Sequence, residues 1–346
     1  MLELLLPGPR TPSLYDPTNA VLITGASSGI GFDLTTRLAE QGLTVFATVR
    51  NHRDARRLDA LGERVIAILC DVTNDNMVAE ARRLVEDWVD AGRRDGERNL
   101  VGVVCNAAVP CPGPIELVGA ETVLQVFETN VAGCIAVSKA FLPLLRRARS
   151  SGNISPRLVF VSSLAAELAV PGNAVYASSK LALNFLARIL RVELRGEVTV
   201  SVVLPGTQEI MRHSGISPRS TGSHVHLLPV GAISTPIWNK STTHLTSLLH
   251  QAQYQSSRTS TTPLTPSTVE YYTKLLLQYA SINRIAQATA SPPSAVSDIV
   301  CKALGAWFPK DRYLVGYDAY LLDLLSRVTP EWLWDWVVPV VFAAVL

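Results

Sequence analysis

The chain has 346 residues, 48% of them hydrophobic, enough to bury the core of one large α/β domain or of two smaller ones. Its 31 Lys and Arg against 29 Asp and Glu leave a formal net charge of +2 with no long basic run, which excludes nucleic acid as an expected partner. Five cysteines, Cys70, Cys105, Cys111, Cys134 and Cys301, are odd in number and form no C-x-x-C pair, so they point to reduced core thiols in a cytosolic compartment and not to a disulfide framework.

Residues 1–19 read as a loose arm: only five apolar residues precede Pro7 and no basic segment introduces them, so a cleaved secretory signal is not expected. A β-branched run at about 20–24 then enters the turn Thr24-Gly25-Ala26-Ser27-Ser28-Gly29-Ile30-Gly31, and helical periodicity follows over about 31–41. In this strand, turn and helix context the three glycines let the backbone turn sharply and bring a pyrophosphate against free N–H groups at the helix N-terminus. Further buried-strand runs lie at about 43–49, 65–70, 101–105, 158–162 and 198–204, with amphipathic segments between most of them. The short cluster Arg50, Arg53, Arg56 and Arg57 after the second run is most simply a solvated helix start.

That alternation predicts an α/β fold: a single Rossmann-type, doubly wound parallel sheet with helices on both faces, spanning about 20–328. No internal repeat is visible, and two stretches break the pattern, a polar one at 207–226 and a Ser/Thr-rich one at 241–268. Helical patterning returns at about 269–288 and 295–307, and 312–316 is a candidate last strand. Residues 236–290 are expected to form a small C-terminal substrate lobe.

Tyr176 and Lys180 lie four apart within 174–195, a helical segment, and so share one face. A tyrosine's ordinary pKa of about 10 is high for a base at neutral pH, and a nearby ammonium favours the phenolate. Lys180 can supply that charge.

In order along the chain, Thr24-Gly25-x3-Gly29-x-Gly31, Asp71-Val72, Asn106-Ala107-Ala108, Asn130, Ser163 and Tyr176-x3-Lys180 resemble the short-chain dehydrogenase/reductase family, over roughly residues 20–320. The resemblance implies that Tyr176 exchanges a proton with the substrate oxygen, that Lys180 also binds the nicotinamide ribose, and that Ser163 holds the carbonyl oxygen. It further implies that Asn130 helps hold a proton-relaying water. Thr24, Gly25, Ser27, Ser28, Gly29, Ile30 and Gly31 would line the cofactor's phosphates, Asp71 and Val72 its adenine, with Asn106 beside them. A hydroxyl donor aimed at an oxygen that gains charge during hydride transfer is useful transition-state stabilisation.

Cofactor choice rests on the end of the second strand. NAD enzymes of this architecture commonly place an acidic residue there. Here the position is Val49, followed by Arg50, whose guanidinium can pair with a 2′-phosphate or stack on the adenine. The sequence therefore favours NADP(H) over NAD(H).

Two positions depart from the family pattern. Ala108 stands where Gly is usual, a small change. After Pro205-Gly206 no Thr follows at the offset where the family contacts the nicotinamide carboxamide. Deleting 206–230 joins Pro205 to Gly231-Ala232-Ile233-Ser234-Thr235 and restores that motif with Thr235 in register. Residues 206–230 are thus an insertion, such as a retained intron, or a long substrate-side loop. His213, His224 and His226 lie in it without acidic or thiol partners at ligand spacing, so no metal site is expected.

Trp332, Trp334 and Trp336 precede the apolar run 337–346, too short to span a bilayer; the segment 329–346 can lie on a membrane, cover a greasy pocket or pack as a terminal helix. This ending resembles that of steroid- and retinoid-type members of the family. The expectation is an NADP(H)-dependent oxidoreductase interconverting an alcohol and a ketone or aldehyde on a lipophilic small molecule. It is placed in the cytoplasm or peripherally on a membrane, with a homodimer or homotetramer in keeping with the family. The alternatives are a dehydratase or epimerase on the same fold, and a catalytically silent dinucleotide-binding sensor.

Overall fold

The computed structural model describes residues 16–92, 98–150, 155–167, 169–206, 265, 267–277, 292–316 and scattered positions between 319 and 336. Seven parallel strands form one sheet: β1 (Asn19–Ile23), β2 (Thr44–Val49), β3 (Val65–Leu69), β4 (Asn99–Cys105), β5 (Arg157–Val161), β6 (Thr199–Pro205) and β7 (Arg312–Val315). Their spatial order is β3-β2-β1-β4-β5-β6-β7. The described helices are α1 (Gly29–Glu40), α2 (His52–Asp59), α3 (Asp75–Ala91), α4 (Ala120–Phe127), α5 (Gly133–Ser150), α6 (Ala174–Glu193), α7 (267–277) and α8 (Pro293–Gly305).

The strands are apolar at almost every position because both faces are covered, and alternate residues feed two separate cores. Ala20 and Leu22 of β1 point into one core with Val85, Phe141 and Leu183 from α3, α5 and α6. Val21 and Ile23 point into the other with Leu34, Leu38, Leu58 and Val300 from α1, α2 and α8. Burying a side chain of this size stabilises the fold by about 1.5–3 kcal/mol, so a one-residue slip of β1 would exchange the two cores wholesale.

The predicted strands agree with the observed ones to within one or two residues, including the last. The predicted helix at 31–41 starts two residues earlier, at Gly29, after extended Ser28. Asn51 and Asn74 cap α2 and α3 by accepting from backbone N–H groups of their first turns. Between α4 and α5 the chain widens into one π-helical stretch, Glu128–Ala132.

Connections from β1 and from β4 run in opposite directions across the sheet, so a crevice opens at the carboxyl ends of these two strands, where ligands bind in such sheets. Most of the predicted arm, the proposed insertion 206–230 beyond Gly206, most of the lobe 236–290 and most of 329–346 lie outside the described residues.

Candidate active site

The glycine-rich turn fills that crevice's floor. Gly25 and Gly29 have φ of +67° and +57°, the left-handed region that suits glycine. A Cβ on Gly31 would stand 2.5 Å from the Gly25 carbonyl oxygen and 2.7 Å from Asn106 Nδ2. Thr24 Oγ1 ties the turn to the neighbouring strand end, accepting from the N–H groups of Asn106 and Ala107, both at 3.0 Å. Asn106 Nδ2 in return donates to the carbonyls of Thr24 at 3.0 Å and Gly25 at 3.2 Å. The turn is thus held from the β4 side before any ligand arrives. Ser28 precedes α1 without a capping hydrogen bond from its side chain, so its hydroxyl does not take the helix's first N–H groups. A close glycine cradle at an uncapped helix N-terminus fits a dinucleotide pyrophosphate.

Around this floor, Val49 is buried at the end of β2 while Arg50 is exposed beside it. Asp71 Oδ1 accepts from Thr73 N at 3.0 Å and Thr73 Oγ1 at 2.8 Å, shaping the turn after β3. Val72 is buried, and a Cβ on Gly133 would lie 2.6 Å from it, so α5 can approach only with glycine there.

The second cluster stands at the end of β5. Ser163 leaves the strand in extended conformation and its Oγ accepts from Ala165 N at 3.1 Å, which opens a single 3₁₀ turn, Leu164–Ala166. Tyr176, from the first turn of α6, stands near enough for the Ser163 hydroxyl to lower the phenol's pKa. Lys180, one turn on, is 2% exposed, with Nζ donating to Val161 O at 2.9 Å and lying 5.8 Å from the Tyr176 ring centroid. Ser162 is spent elsewhere: its Oγ donates to the Lys180 carbonyl at 3.2 Å.

The electrostatics differ from the simple expectation that the Lys180 ammonium lowers the phenol's pKa. Burial dominates, pushing Tyr176 up to about 12, and the Ser163 hydrogen bond offsets only part of that. Burial likewise brings Lys180 down to about 8, partly countered by the neighbouring thiols of Cys134 and Cys105. Without a ligand, the cluster therefore presents a neutral phenol donor next to a weakly held ammonium.

Asn130 is fully buried in the π-helical stretch. Its Oδ1 accepts from Val109 N at 2.8 Å, while Nδ2 donates to Val109 O at 3.0 Å and to Ser179 Oγ at 3.0 Å. The side chain braces the segment after β4 against α6. Ser179, whose Oγ also donates to the Tyr176 carbonyl at 2.7 Å, is a site residue that sequence reasoning missed. Its position next to Lys180 was the available signal. Thr235 lies outside the described residues. All five cysteines are buried and free. Among the described residues no helix is long and apolar enough to cross a membrane.

A family model described as short chain dehydrogenase matches residues 19–214. The mitochondrial D-beta-hydroxybutyrate dehydrogenase of Rattus norvegicus is 36% identical over 193 residues, covering 54% of this chain and 53% of that relative. The chain thus spans about half the length of the hydroxybutyrate dehydrogenases it matches. Retinol dehydrogenase 16 of Mus musculus is 27% identical over 319 residues, covering 91% of this chain and 86% of the relative. A short-chain dehydrogenase from Burkholderia cenocepacia, solved in complex with NADP, superposes with a TM-score of 0.59 at 20% identity, over 91% of this chain and 94% of that one. At that identity the likeness speaks for the fold alone.

Proposed function

This chain belongs to the short-chain dehydrogenase family, and from that premise we propose that it interconverts an alcohol and a ketone or aldehyde on a lipophilic small molecule with NADP(H), Tyr176 carrying the proton. The observation that supports this most is the convergence of Ser163, Tyr176 and Lys180 at the end of β5, beside the glycine cradle after β1. Gly25, Gly29 and Gly31 would hold a nicotinamide dinucleotide in that cradle, and its reduced form would supply a hydride for a carbonyl carbon. Ser163 orients the carbonyl oxygen through its hydroxyl, and Tyr176, a neutral phenol, gives its proton to that oxygen as charge develops there. Lys180 then favours the resulting phenolate with its positive charge. In the reverse direction the phenolate takes the proton back. The exposed Arg50 next to buried Val49 supports NADP(H), since no carboxylate stands at the end of β2 to repel a 2′-phosphate.

A lipophilic substrate is supported by similarity to a retinol dehydrogenase and by the exposed Trp332 and Trp336, which also support peripheral contact of a cytoplasmic enzyme with a membrane surface. A homodimer is supported by Leu181, Phe185 and Ile189, an apolar stripe on α6 that faces solvent beside Ile135 of α5. The experiment is to titrate the full-length protein with NADPH and NADH, then follow NADPH consumption with a panel of lipophilic ketones and aldehydes, in wild type and Tyr176→Phe. Loss of turnover by about 10²–10⁴-fold with NADPH binding unchanged is expected. Equal turnover in the variant sinks the mechanism, and wild-type binding without turnover on any carbonyl favours the silent dinucleotide-binding alternative.

A further inference from the structure

Of the four arginines clustered after β2, one is not simply solvated. Arg57 projects from the last turn of α2 back toward the glycine-rich turn: its guanidinium lies 4.0 Å from the centroid of the Phe32 ring, and Nη1 donates to the Ser27 carbonyl at 3.4 Å, thirty residues earlier in the chain. Phe32, in the first turn of α1, is half-buried and gives the planar cation a fixed shelf. The side chain as a whole remains exposed, and the long hydrogen bond to Ser27 engages only one of the guanidinium's N–H donors, so the others stay available beside the glycine-rich turn. Arg50, also exposed, directly follows β2, and the end of that strand is tied to the same turn by Ala26 N, which donates to Thr48 O at 2.9 Å. The carboxylates of α2 are engaged elsewhere: Asp54 with Asn51 at 2.8 Å, and Asp59 with the Ala67 N–H at 3.2 Å. Two exposed guanidinia, one after β2 and one on α2, with both α2 carboxylates hydrogen-bonded elsewhere, suit a doubly charged phosphate ester.

We propose that Arg57 is a second 2′-phosphate ligand, closing on the adenosine ribose from α2 opposite Arg50, and that Phe32 holds it there. The inference rests on the NADP(H) reading above. Ribose hydroxyls lie over the end of the second strand in sheets of this topology; Arg50 follows that strand, and Arg57 reaches the turn beside it through Ser27. A lone Arg50 gives charge; two guanidinia from different elements give a clamp that recognises the tetrahedral shape of the phosphate.

The test measures binding to the full-length protein by tryptophan quenching and calorimetry, with NADPH, NADH, 2′,5′-ADP and 5′-AMP as probes. In Arg57→Gln, NADPH and 2′,5′-ADP are expected to weaken by about 10–100-fold while NADH and 5′-AMP stay within about twofold. Phe32→Leu, which keeps bulk and removes the shelf, should weaken the phosphorylated probes by a smaller factor in the same selective way. If Arg57→Gln weakens all four probes alike, Arg57 only supports the turn and the proposal falls. It falls equally if none of the four changes. A wild type with no preference for NADPH over NADH overturns the NADP(H) reading itself, and that result is visible before any variant is made.

Discussion

Arg157 sits in the middle of the sheet, at the start of β5, and is 3% exposed. Its Nε donates to Leu304 O at 3.0 Å, Nη2 to Ala306 O at 2.6 Å and Nη1 to Ser155 Oγ at 2.8 Å. The two carbonyls are at the end of α8, where a helix leaves its acceptors unpaired and where a cation also meets the negative end of the macrodipole. Burial brings this guanidinium down to about 10, still charged at neutral pH. Replacing it by methionine keeps the length of the stem, removes all three bonds, and leaves two carbonyl oxygens without a donor. Each orphaned group costs about 1–3 kcal/mol, while freedom from burying a charge returns part of that, for a net loss of about 2–5 kcal/mol. A chain of this length has an unfolding entropy near 0.7 kcal/mol per degree, so Tm should fall by roughly 3–7 °C. Calorimetry at fixed scan rate, with hydrogen exchange on α8, measures it: amides in the last turn of α8 should lose protection first. A Tm within about 1 °C of wild type, with α8 still protected, would refute the reasoning, because the guanidinium's burial would then cost as much as its bonds return.

Gly31→Ala forces a methyl to within 2.5 Å of the Gly25 carbonyl oxygen, so the turn must open; NADPH affinity should drop by tenfold or more in a titration, with a stability loss of about 1–3 kcal/mol. Lys180 binds its proton less tightly folded than unfolded, since burial brings it down to about 8 from 10.5. Between these values the unfolded chain holds more protons, and this residue's contribution makes the ligand-free protein gain stability as pH rises. Lys180→Met should remove that rise, and denaturant midpoints at pH 7.5 and 9.5 for the two proteins check the difference; equal slopes would count against a buried, proton-shedding lysine. Phe185→Glu with Ile189→Glu puts charge on the exposed stripe of α6. Light scattering should show the protein one oligomeric step smaller and still folded, and an unchanged mass argues against pairing through this face.

The strands were legible because a doubly covered parallel sheet demands apolar residues on both faces, so runs such as 20–24 and 101–105 have few alternative readings. The glycine spacing was legible for a related reason: backbone at +67° and +57°, and a carbonyl 2.5 Å from a would-be Cβ, tolerate little else. What escaped is what depends on partners distant in sequence. Arg157 lies just before the predicted strand at 158–162 and carries no signal of its role until the end of α8 is brought beside it, 147 residues later. The bonds that tie the Asn130 amide to Val109 and Ser179 are equally invisible in the sequence. The four arginines after β2 look alike in sequence, and only the packing of α2 beside α1 singles out Arg57. The burial that pushes the Tyr176 phenol up was not legible either, because a neighbouring lysine is visible in sequence whereas the depth of burial is not.

The edge of the sheet carries a consequence for how the chain tolerates changes in length. Gly206 N donates to Val315 O at 2.9 Å, and β6 runs beside β7, so the polypeptide departs from and returns to the same edge. α8 packs against α1 and the sheet from the other side. Between Gly206 and α8 lie about 86 residues, and the entropy of closing such a span grows only with the logarithm of its length. Removing 25 of them changes that term by about 0.3 kcal/mol, a small fraction of the stability of an ordinary domain. By that closure term the sheet is almost indifferent to whether 206–230 is present. A change of length between β6 and α8 therefore costs the sheet little, and the turn after β1 that would hold a dinucleotide is built from strands such a change does not touch.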